Sequence, residues 1–223
     1  MRLNSKVRIL ITCDSGAGAG KTTAAKYLSK KFKLNLLTSG LLYRYLAYRL
    51  IVLKKKHTNF SFLKKIIKKI NYKNLKNPIL YSPKITEYTA QIAKVKKIRL
   101  MLKNYQIKFS KKKRVILEGR DMGILFPNAD IKIFFKCSLK VAAKRRFKEF
   151  KKTDKRITLK KVEKAIKIRN HIDSTRKISP LRIPPGAVIV DTTKLNKKQM
   201  FRKVYKIVDE KLLLKYGRSY RKK

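Results

Sequence analysis

The sequence predicts an α/β protein of three layers, in which helices cover both faces of a mainly parallel sheet. Apolar runs of strand length alternate with longer stretches of helical spacing along the chain. Several strand candidates are almost continuously apolar, which is typical of parallel strands buried on both faces. With 223 residues, 43 % of them hydrophobic, the chain is long enough for one domain with a real core and a small inserted lobe.

The chain is predicted to begin with a strand, a loop and a helix. Val7 to Cys13 is an apolar run of β-rich character, and after glycines and alanines the stretch from Thr22 to Phe32 has helical spacing. Asn35 to Leu37 predicts a short second strand, and Gly40 to Lys55 predicts a second helix. This order is typical of the beginning of a βαβ unit, whose strands are parallel.

A region rich in Lys and Asn, from His57 to Pro83, is the best candidate for an inserted or mobile lobe. It contains a predicted helix from Phe62 to Ile70, with a break at Pro78. Helical spacing resumes from Lys84 to Phe109. A mostly helical region over about residues 39–110 is therefore predicted.

The second half of the chain returns to alternating strands and helices. Strands are predicted at Arg114 to Leu117, Ile131 to Phe135 and Ala187 to Val190. Helices are predicted from the cap Ser138 to Phe150, from the cap Thr158 to Asp173, and from Gln199 to Lys215. The polar residues 151–156 predict a turn between the first two of these helices, and residues 216–223 predict a basic tail.

The charge balance is extreme, because 62 Lys and Arg face 12 Asp and Glu, for a formal net charge of +50. Such a balance points to polyanionic partners such as nucleotides or nucleic acid. The lysines nevertheless spread over every predicted helix, and Lys, Asn and Ile are all encoded by A/T-rich codons, so genomic drift explains the charge at least as well. Non-specific, salt-sensitive binding of nucleic acid is expected under either explanation.

Cysteine usage and hydropathy indicate the environment in which the protein works. Cys13 and Cys137 lie at the ends of predicted strands and have no metal-like spacing, so we expect neither a disulfide framework nor a zinc site. The first apolar stretch is short and contains Arg8, and no stretch approaches the length of a membrane span. We therefore expect a cytoplasmic protein that does not enter a membrane. We also expect it to be a monomer.

Residues 15–22 read Ser-Gly-Ala-Gly-Ala-Gly-Lys-Thr and lie between the first strand and the first helix. Small residues let the backbone bend so that successive N–H groups and the helix N-terminus face an anion. Lys21 would reach the β and γ phosphate oxygens of ATP, and the Thr22 hydroxyl would ligate Mg²⁺. Ser15 stands where glycine is usual, which predicts a slightly rearranged cradle. The predicted ATP-binding residues are Ser15, Gly16, Ala17, Gly18, Ala19, Gly20, Lys21, Thr22 and Thr23.

Further polar residues follow predicted strands, where open α/β sheets place their ligand crevice. Residues 38–44 put a hydroxyl and a guanidinium at a helix N-terminus, which suits a second phosphate. After the third strand, Arg120 could neutralise phosphate and Asp121 could accept from an exocyclic amine such as cytosine N4. Glu118 could hold Mg²⁺ through water. A phosphate cradle alone does not separate kinases from GTPases or helicases. The residues that would bind the phosphate acceptor must therefore distinguish these classes.

Taken in order, these motifs resemble the bacterial cytidylate kinases of the nucleoside monophosphate kinase group. The resemblance rests on short stretches that occur in the order of the family and span nearly the whole chain. They are Gly18 to Lys21, Ser39-Gly40 with Tyr43-Arg44, Gly119 to Gly123 followed by Phe126 to Asp130, Lys144 to Arg146, Arg169, Asp173 to Arg176, and Pro180-Leu181.

The resemblance implies a single P-loop kinase domain over residues 1–223, with a small inserted acceptor-binding lobe and a lid over about residues 145–160. It implies an enzyme of pyrimidine metabolism that uses Mg²⁺ and transfers the γ-phosphoryl group of ATP to CMP or dCMP. The implied substrate-binding residues are Ser39, Arg44 and Arg120 for the phosphate, Arg99, Asp121 and Arg176 for cytosine, and Arg169 and Asp173 for the ribose. The implied catalytic residues are Lys21, Arg145, Arg146 and Arg156, and the implied Mg²⁺ ligands are Thr22 and Glu118.

The sequence departs from the family at a few places. Thr38 stands where an acidic residue is common, Tyr81 replaces an arginine, Ala90 falls where a small hydroxyl residue is expected, and the lobe over residues 57–83 is shorter.

Two alternatives remain open at this point. The first is another small-acceptor P-loop kinase, for UMP, AMP or a non-nucleotide, which would carry a different base-reading set. The second is a basic RNA-binding P-loop NTPase, which would show a clustered basic stripe. The lid arginines could also belong to a solvated basic helix face.

Overall fold

A five-stranded sheet forms the centre of the protein in a computed structural model that describes residues 3–71, 73–151 and 155–221. The strands are β1 (Ile9–Ser15), β2 (Asn35–Thr38), β3 (Arg114–Gly119), β4 (Ile131–Lys136) and β5 (Val188–Asp191). Their order across the sheet is β2-β3-β1-β4-β5, and β1 runs parallel to both β3 and β4, as β4 does to β5. In the centre, Ile11 lies opposite Ile116 on one side and Ile131 on the other. The predicted α/β class with a mainly parallel sheet is confirmed.

Helices connect the strands. They are α1 (Lys21–Phe32), α2 (Ser39–Val52), α3 (Phe60–Lys68), α4 (Pro83–Ile92), α5 (Lys96–Ser110), α6 (Met122–Leu125), α7 (Leu139–Phe150), α8 (Leu159–Thr175) and α9 (Lys197–Tyr216). Short 3₁₀ turns occur at Asn74–Lys76, Pro78–Tyr81 and Gly217–Tyr220. Within the described ranges, none of the helices combines the length and the apolar character needed to cross a bilayer.

The chain divides into two compact units. The sheet unit comprises Met1–Leu36 and Lys113–Lys223, and the helical unit comprises Leu37–Lys112, so that the boundary falls within β2. The helical unit holds α2 to α5, and the remaining helices belong to the sheet unit.

The core of the sheet unit is built by helices whose apolar residues recur every fourth position. On α1 the residues Ala24, Leu28 and Phe32 are buried, and on α9 Val204 and Val208 belong to the same cluster as the inner residues of β1 and β4. This spacing puts one apolar stripe on each helix, which is the pattern a helix needs to pack on a sheet. These contacts hold α1, and therefore the loop that precedes it, in a fixed place on β1.

Side-chain caps mark the start of several helices. The Ser138 hydroxyl accepts from the backbone N–H of Val141 at 3.4 Å, and the Thr158 hydroxyl accepts from that of Lys161 at 3.3 Å, so both predicted caps are confirmed. The predicted closing helix begins earlier than Gln199, because Asn196 and Gln199 form a reciprocal capping box with two bonds of 2.9 Å.

Some sequence-based boundaries were wrong. The first strand is Ile9–Ser15, two residues later than predicted, so it runs directly into the glycine-rich loop. The predicted helix over residues 84–109 is two helices, because residues 93–95 form a turn and Val95 is extended, with ψ 112°. The apolar spacing continues through this turn, which hides the break in the sequence.

Two predicted segments lie partly outside the described residues. The predicted lid over about residues 145–160 contains residues 152–154, and the predicted basic tail contains residues 222 and 223. Before those last residues, Tyr220 is 1 % exposed, belongs to the core of the sheet unit and bonds through its hydroxyl to Asp209.

Candidate active site

The glycine-rich loop spans the gap between the end of β1 at Ser15 and the start of α1 at Lys21. Gly18 and Gly20 both have positive φ angles, 77° and 84°, which side chains other than glycine rarely adopt. At Gly18 there is also no space, because an added Cβ would lie 2.8 Å from the Cβ of Ala142 on α7. The loop conformation therefore depends on glycine, as the sequence predicts for a phosphate cradle.

Two side chains that sequence reasoning missed hold this loop from outside. Asn170, on α8, accepts with Oδ1 from the backbone N–H of Ala17 at 2.9 Å. The hydroxyl of Thr192, just after β5, donates to the carbonyl of Ala19 at 3.0 Å. Thr192 carries a weak sequence signal, as a polar residue directly after an apolar strand, whereas an amide within a basic helix carries none.

Lys21 and Glu118 form an ion pair beside the loop, with 3.4 Å between Nζ and Oε1. Burial, together with the positive charges of Arg120 and Arg169, lowers the pKa of Lys21, and Glu118 opposes this shift. The second carboxylate oxygen of Glu118 is buried and has no hydrogen-bond partner among the residues that the structure describes. A buried carboxylate oxygen without a partner costs free energy. Binding of a donor or a cation at this oxygen would remove that cost.

A divalent cation fits these donors. The free oxygen of Glu118 is a hard oxygen ligand of the kind that Mg²⁺ prefers. The same holds for the type of group that Thr22 carries, at the second position of α1. The described part of the chain contains no cluster of three or more acidic, His or Cys side chains that could form a complete metal site on its own. Mg²⁺ usually binds through one or two protein groups together with substrate phosphates and water.

Arginines and carboxylates form a connected cluster next to this pair. Arg120 lies 2.6 Å from Asp173, and Arg176 lies 3.1 Å from Asp173 and 3.6 Å from Asp121. Arg176 also donates from Nε to the carbonyl of Ser179 at 2.6 Å, which fixes its orientation. Burial and the nearby charge of Arg169 lower the pKa of Arg120 to about 10, although Asp173 acts in the opposite direction. The structure thus brings together four predicted residues of the sheet unit, Arg120, Asp121, Asp173 and Arg176.

Asp14, which sequence reasoning did not select, lies under this cluster. It is fully buried at the carboxyl end of β1 and accepts from the backbone N–H groups of Met122 and Gly123 at 2.8 and 2.6 Å. Burial raises its pKa to about 7; Asp121 adds to the shift, while the two hydrogen bonds and Lys21 oppose it. A carboxyl group directly before a glycine-rich loop, after an apolar run, is the signal that could have revealed it.

The three predicted lid arginines differ in their surroundings. Arg145 donates to the hydroxyl and the carbonyl of Thr192 at 3.0 and 2.7 Å, and to the carbonyl of Leu195 at 3.2 Å. Arg146 pairs with Glu149 at 2.5 Å and packs against the ring of Phe150. Arg156 is exposed in the turn before α8. In this structure Arg145 therefore supports the loop after β5.

The helical unit holds the other predicted substrate residues, all of them buried. Ser39, at the start of α2, accepts from the Gln106 amide at 2.6 Å. Arg44, also on α2, donates from Nη1 to the carbonyl of Leu80 at 2.7 Å and to the hydroxyl of Thr86 at 2.8 Å.

Arg99, on α5, packs 5.8 Å from the ring of Tyr43, and Tyr81 packs 5.3 Å from Arg44. The helical unit thus positions two buried guanidinium groups with backbone, hydroxyl and aromatic contacts.

Comparison with known proteins places the chain in a family. The family model described as "Cytidylate kinase" matches residues 11–210. A cytidylate kinase of Fusobacterium nucleatum is 36 % identical over 216 residues, which cover 91 % of this chain and 98 % of that protein. A cytidylate kinase of Clostridium botulinum is 33 % identical over 213 residues, covering 90 % of this chain and 97 % of the relative.

Solved structures agree with the fold. An uncharacterized protein from Eubacterium ventriosum superimposes with a TM-score of 0.56 at 13 % identity, covering 91 % of this chain and 99 % of that one. The protein TT1252 from Thermus thermophilus gives a TM-score of 0.51 at 14 % identity, covering 93 % and 99 %. At these identities the likeness concerns the fold alone. Because the family model matches most of its length, this chain belongs to the cytidylate kinase family.

Proposed function

We propose that this chain transfers the γ-phosphoryl group of ATP to CMP or dCMP, forming ADP and CDP or dCDP. The observation that carries the proposal is the placement of Asp121, paired with Arg176, in the same cluster as Arg120 and beside the Lys21–Glu118 pair. A carboxylate with arginines matches the amine and the two acceptors of cytosine. Uracil would instead turn a carbonyl toward the carboxylate, and buried groups left unmatched discriminate strongly between substrates.

The donor phosphates bind at the loop over residues 15–23. Its backbone N–H groups and the N-terminus of α1 face the anion, and Lys21 neutralises the β and γ oxygens. The lowered pKa of Lys21 reflects burial among positive charges, and a bound triphosphate would reverse this effect by supplying negative charge.

The acceptor is held through its phosphate, base and ribose. Arg120 binds the CMP phosphate with Ser39 and Arg44. Asp121, Arg176 and Arg99 read the cytosine edge, and Arg169 and Asp173 hold the ribose. Because Arg120 and Asp173 are paired at 2.6 Å, CMP binding exchanges this ion pair for contacts with the ligand.

Mg²⁺ would be held by Thr22 and Glu118, and when bound it neutralises charge on the β and γ phosphates. The protein contributes mainly by positioning the two phosphates in line and by placing fixed positive charge around the phosphoryl group. We assign the latter role to Lys21 and to the lid arginines Arg145, Arg146 and Arg156. For Arg145 this role requires release from its contacts with Thr192 and Leu195.

Coupled measurement of ADP release tests the proposal. The purified full chain is supplied with Mg·ATP and, separately, with CMP, dCMP, UMP or AMP. We expect turnover with CMP and dCMP, about 10³-fold lower turnover in Lys21→Ala, and little change in Lys26→Ala, an exposed lysine on the same helix. Equal turnover with UMP or AMP would replace the proposal by a broader monophosphate kinase, and no turnover with any acceptor would overturn it.

The reaction belongs to pyrimidine nucleotide metabolism, and we place it in the cytoplasm, where both substrates occur. The names of the relatives favour this acceptor over UMP, AMP or a non-nucleotide. Nothing described in either unit favours the RNA-binding alternative.

A further inference from the structure

The carboxyl group of Asp14 is a buried acid that the proposed chemistry does not use. It belongs to β1, is 0 % exposed, and lies in the strand that leads into the phosphate loop. Its hydrogen bonds lead away from that loop, to the turn at the end of β3.

Both oxygens of Asp14 are engaged by neighbouring backbone groups. Oδ1 accepts from the N–H of Met122 at 2.8 Å, and Oδ2 accepts from the N–H of Gly123 at 2.6 Å. These N–H groups open α6 and have no partner inside that short helix. A carboxylate can accept both bonds at once, whereas an amide can accept only one and would turn an NH₂ group toward the other donor. The geometry is therefore specific for a carboxyl group.

The same turn is confined from another direction. A Cβ built on Gly123 would lie 2.4 Å from Cγ of Pro184, in the segment between α8 and β5, and 3.3 Å from Oδ2 of Asp14. The backbone at Gly123 is thus held between the buried carboxyl group and the proline ring. Asp121 directly precedes the two bonded N–H groups, so its backbone has little freedom to move.

We propose that Asp14 is a positioning residue for substrate selection: by holding the turn that follows Asp121, it sets the place of the carboxylate that reads the exocyclic amine of the base. This inference rests on the proposed function and deepens it. One buried side chain, that of Asp14, would thus connect β1, which leads into the ATP-binding loop, with the turn that carries Asp121.

The central variant is Asp14→Asn, which keeps the size of the side chain and removes one acceptor. Asp130→Asn is the matched control, because Asp130 is also a carboxyl group that accepts from a backbone N–H. Its donor is Leu10, at 2.7 Å, which lies on β1 four residues before Asp14. Each variant is measured for KM of CMP, KM of ATP, kcat with CMP and with UMP, and hydrogen exchange at the amides of Met122 and Gly123.

For Asp14→Asn we expect faster exchange at both amides, a rise of about tenfold in KM for CMP, a change of less than about twofold in KM for ATP, and a smaller preference for CMP over UMP. Asp130→Asn should leave the KM for CMP and both amides unchanged. A fall in kcat with an unchanged KM for CMP, or equal rises in both KM values, would overturn the inference.

A second variant keeps the test decisive if Asp14→Asn does not fold. Gly123→Ala leaves Asp14 intact and pushes the same turn against Pro184, so it should raise the KM for CMP selectively as well. Unchanged selectivity in that variant would also overturn the inference. Absence of CMP turnover in the wild type would remove the proposed function and this inference together, whereas normal wild-type turnover with unchanged KM in the variants removes the inference alone.

Discussion

The arginines that we propose to bind the acceptor make different contacts in the sheet unit and in the helical unit. In the sheet unit, Arg120 and Arg176 lie against the carboxylates of Asp173 and Asp121. In the helical unit, Arg44 donates to a backbone carbonyl and a threonine hydroxyl. The sequence is equally uneven, since Glu87 is the single acidic residue within residues 37–112 of a chain that contains 12.

The difference shows which residue types indicate a functional site in a protein that is so basic. Among 62 Lys and Arg, a single arginine says little about function, whereas a carboxylate is rare enough that its position is informative. In the sheet unit, the proposed binding of the CMP phosphate to Arg120 exchanges the ion pair with Asp173 for contacts with the ligand.

Removal of Asp121 should produce the largest effect. Asp121→Ala leaves the cytosine amine unmatched and takes a carboxylate from Arg176, so kcat/KM for CMP should fall by about 10³-fold. The control is Glu210→Ala, which removes an exposed acid on α9. Steady-state ADP release measures kcat/KM for CMP in both variants. Similar small losses in both would show that Asp121 has no special role in binding the base.

Asp14 should make stability depend on pH in a definite direction. Its pKa is raised from 3.8 to about 7, so the folded protein holds this proton where the unfolded chain has lost it, and the stabilisation is lost as pH rises through that window. The charged groups that act on it are Asp121, which adds to the shift, and Lys21, which opposes it. Between about pH 4 and about pH 8, the unfolding free energy of the wild type should fall relative to Asp14→Asn by about 4 kcal/mol.

Denaturant unfolding of both proteins across this range measures the difference, because titrations shared by the two proteins cancel. A difference that stays constant with pH would contradict the raised pKa of Asp14.

In the helical unit, Arg44→Lys tests whether geometry matters beyond charge. Lysine keeps the positive charge but loses the planar fork that contacts Leu80, Thr86 and, as proposed, the CMP phosphate together. We expect the KM for CMP to rise about tenfold with little change in the KM for ATP. Arg49→Lys, on the same helix and 3.5 Å from the Tyr45 hydroxyl, is the control. Equal effects in both variants would indicate a general loss of helix packing.

The smallest effect is expected at Asn170. Asn170→Ala removes the acceptor for the Ala17 N–H and should raise the KM for ATP about fivefold, the value of one ordinary hydrogen bond. His171→Ala, an exposed neighbour on α8, should change it less than about twofold. An unchanged KM for ATP in Asn170→Ala would mean that the loop keeps its conformation without this contact.

Local patterns predicted most of the elements. The run of glycines between an apolar strand and a helix, and the caps Ser138 and Thr158, are signals that depend only on neighbouring residues, and the structure confirms them as elements and boundaries. The turn at residues 93–95 could not be predicted in this way, because its apolar residues continue the helical spacing on both sides.

The residues of the candidate site also differ in whether local sequence patterns reveal them. The loop over residues 15–22 and the residues around Arg120 and Asp121 could be selected from sequence, because each directly follows an apolar strand, and their proposed roles stay predictions until the variants are measured. Asn170 could not, because it acts through a contact with a segment more than 100 residues away. Asp14 stands at a place in the sequence that could have revealed it, but its two bonds to Met122 and Gly123 could not be predicted. Contacts of this kind depend on tertiary folding and leave no periodic trace in the sequence.

The close approach of Gly18 to Ala142 has a consequence for how the protein can evolve. Since an added Cβ at residue 18 would lie 2.8 Å from that of Ala142 and 2.9 Å from its backbone carbonyl oxygen, a larger residue at position 18 cannot be accommodated by trimming the partner side chain alone. The loop and the first turn of α7 are therefore under joint selection, and a lineage could enlarge residue 18 only by moving that helix as a body.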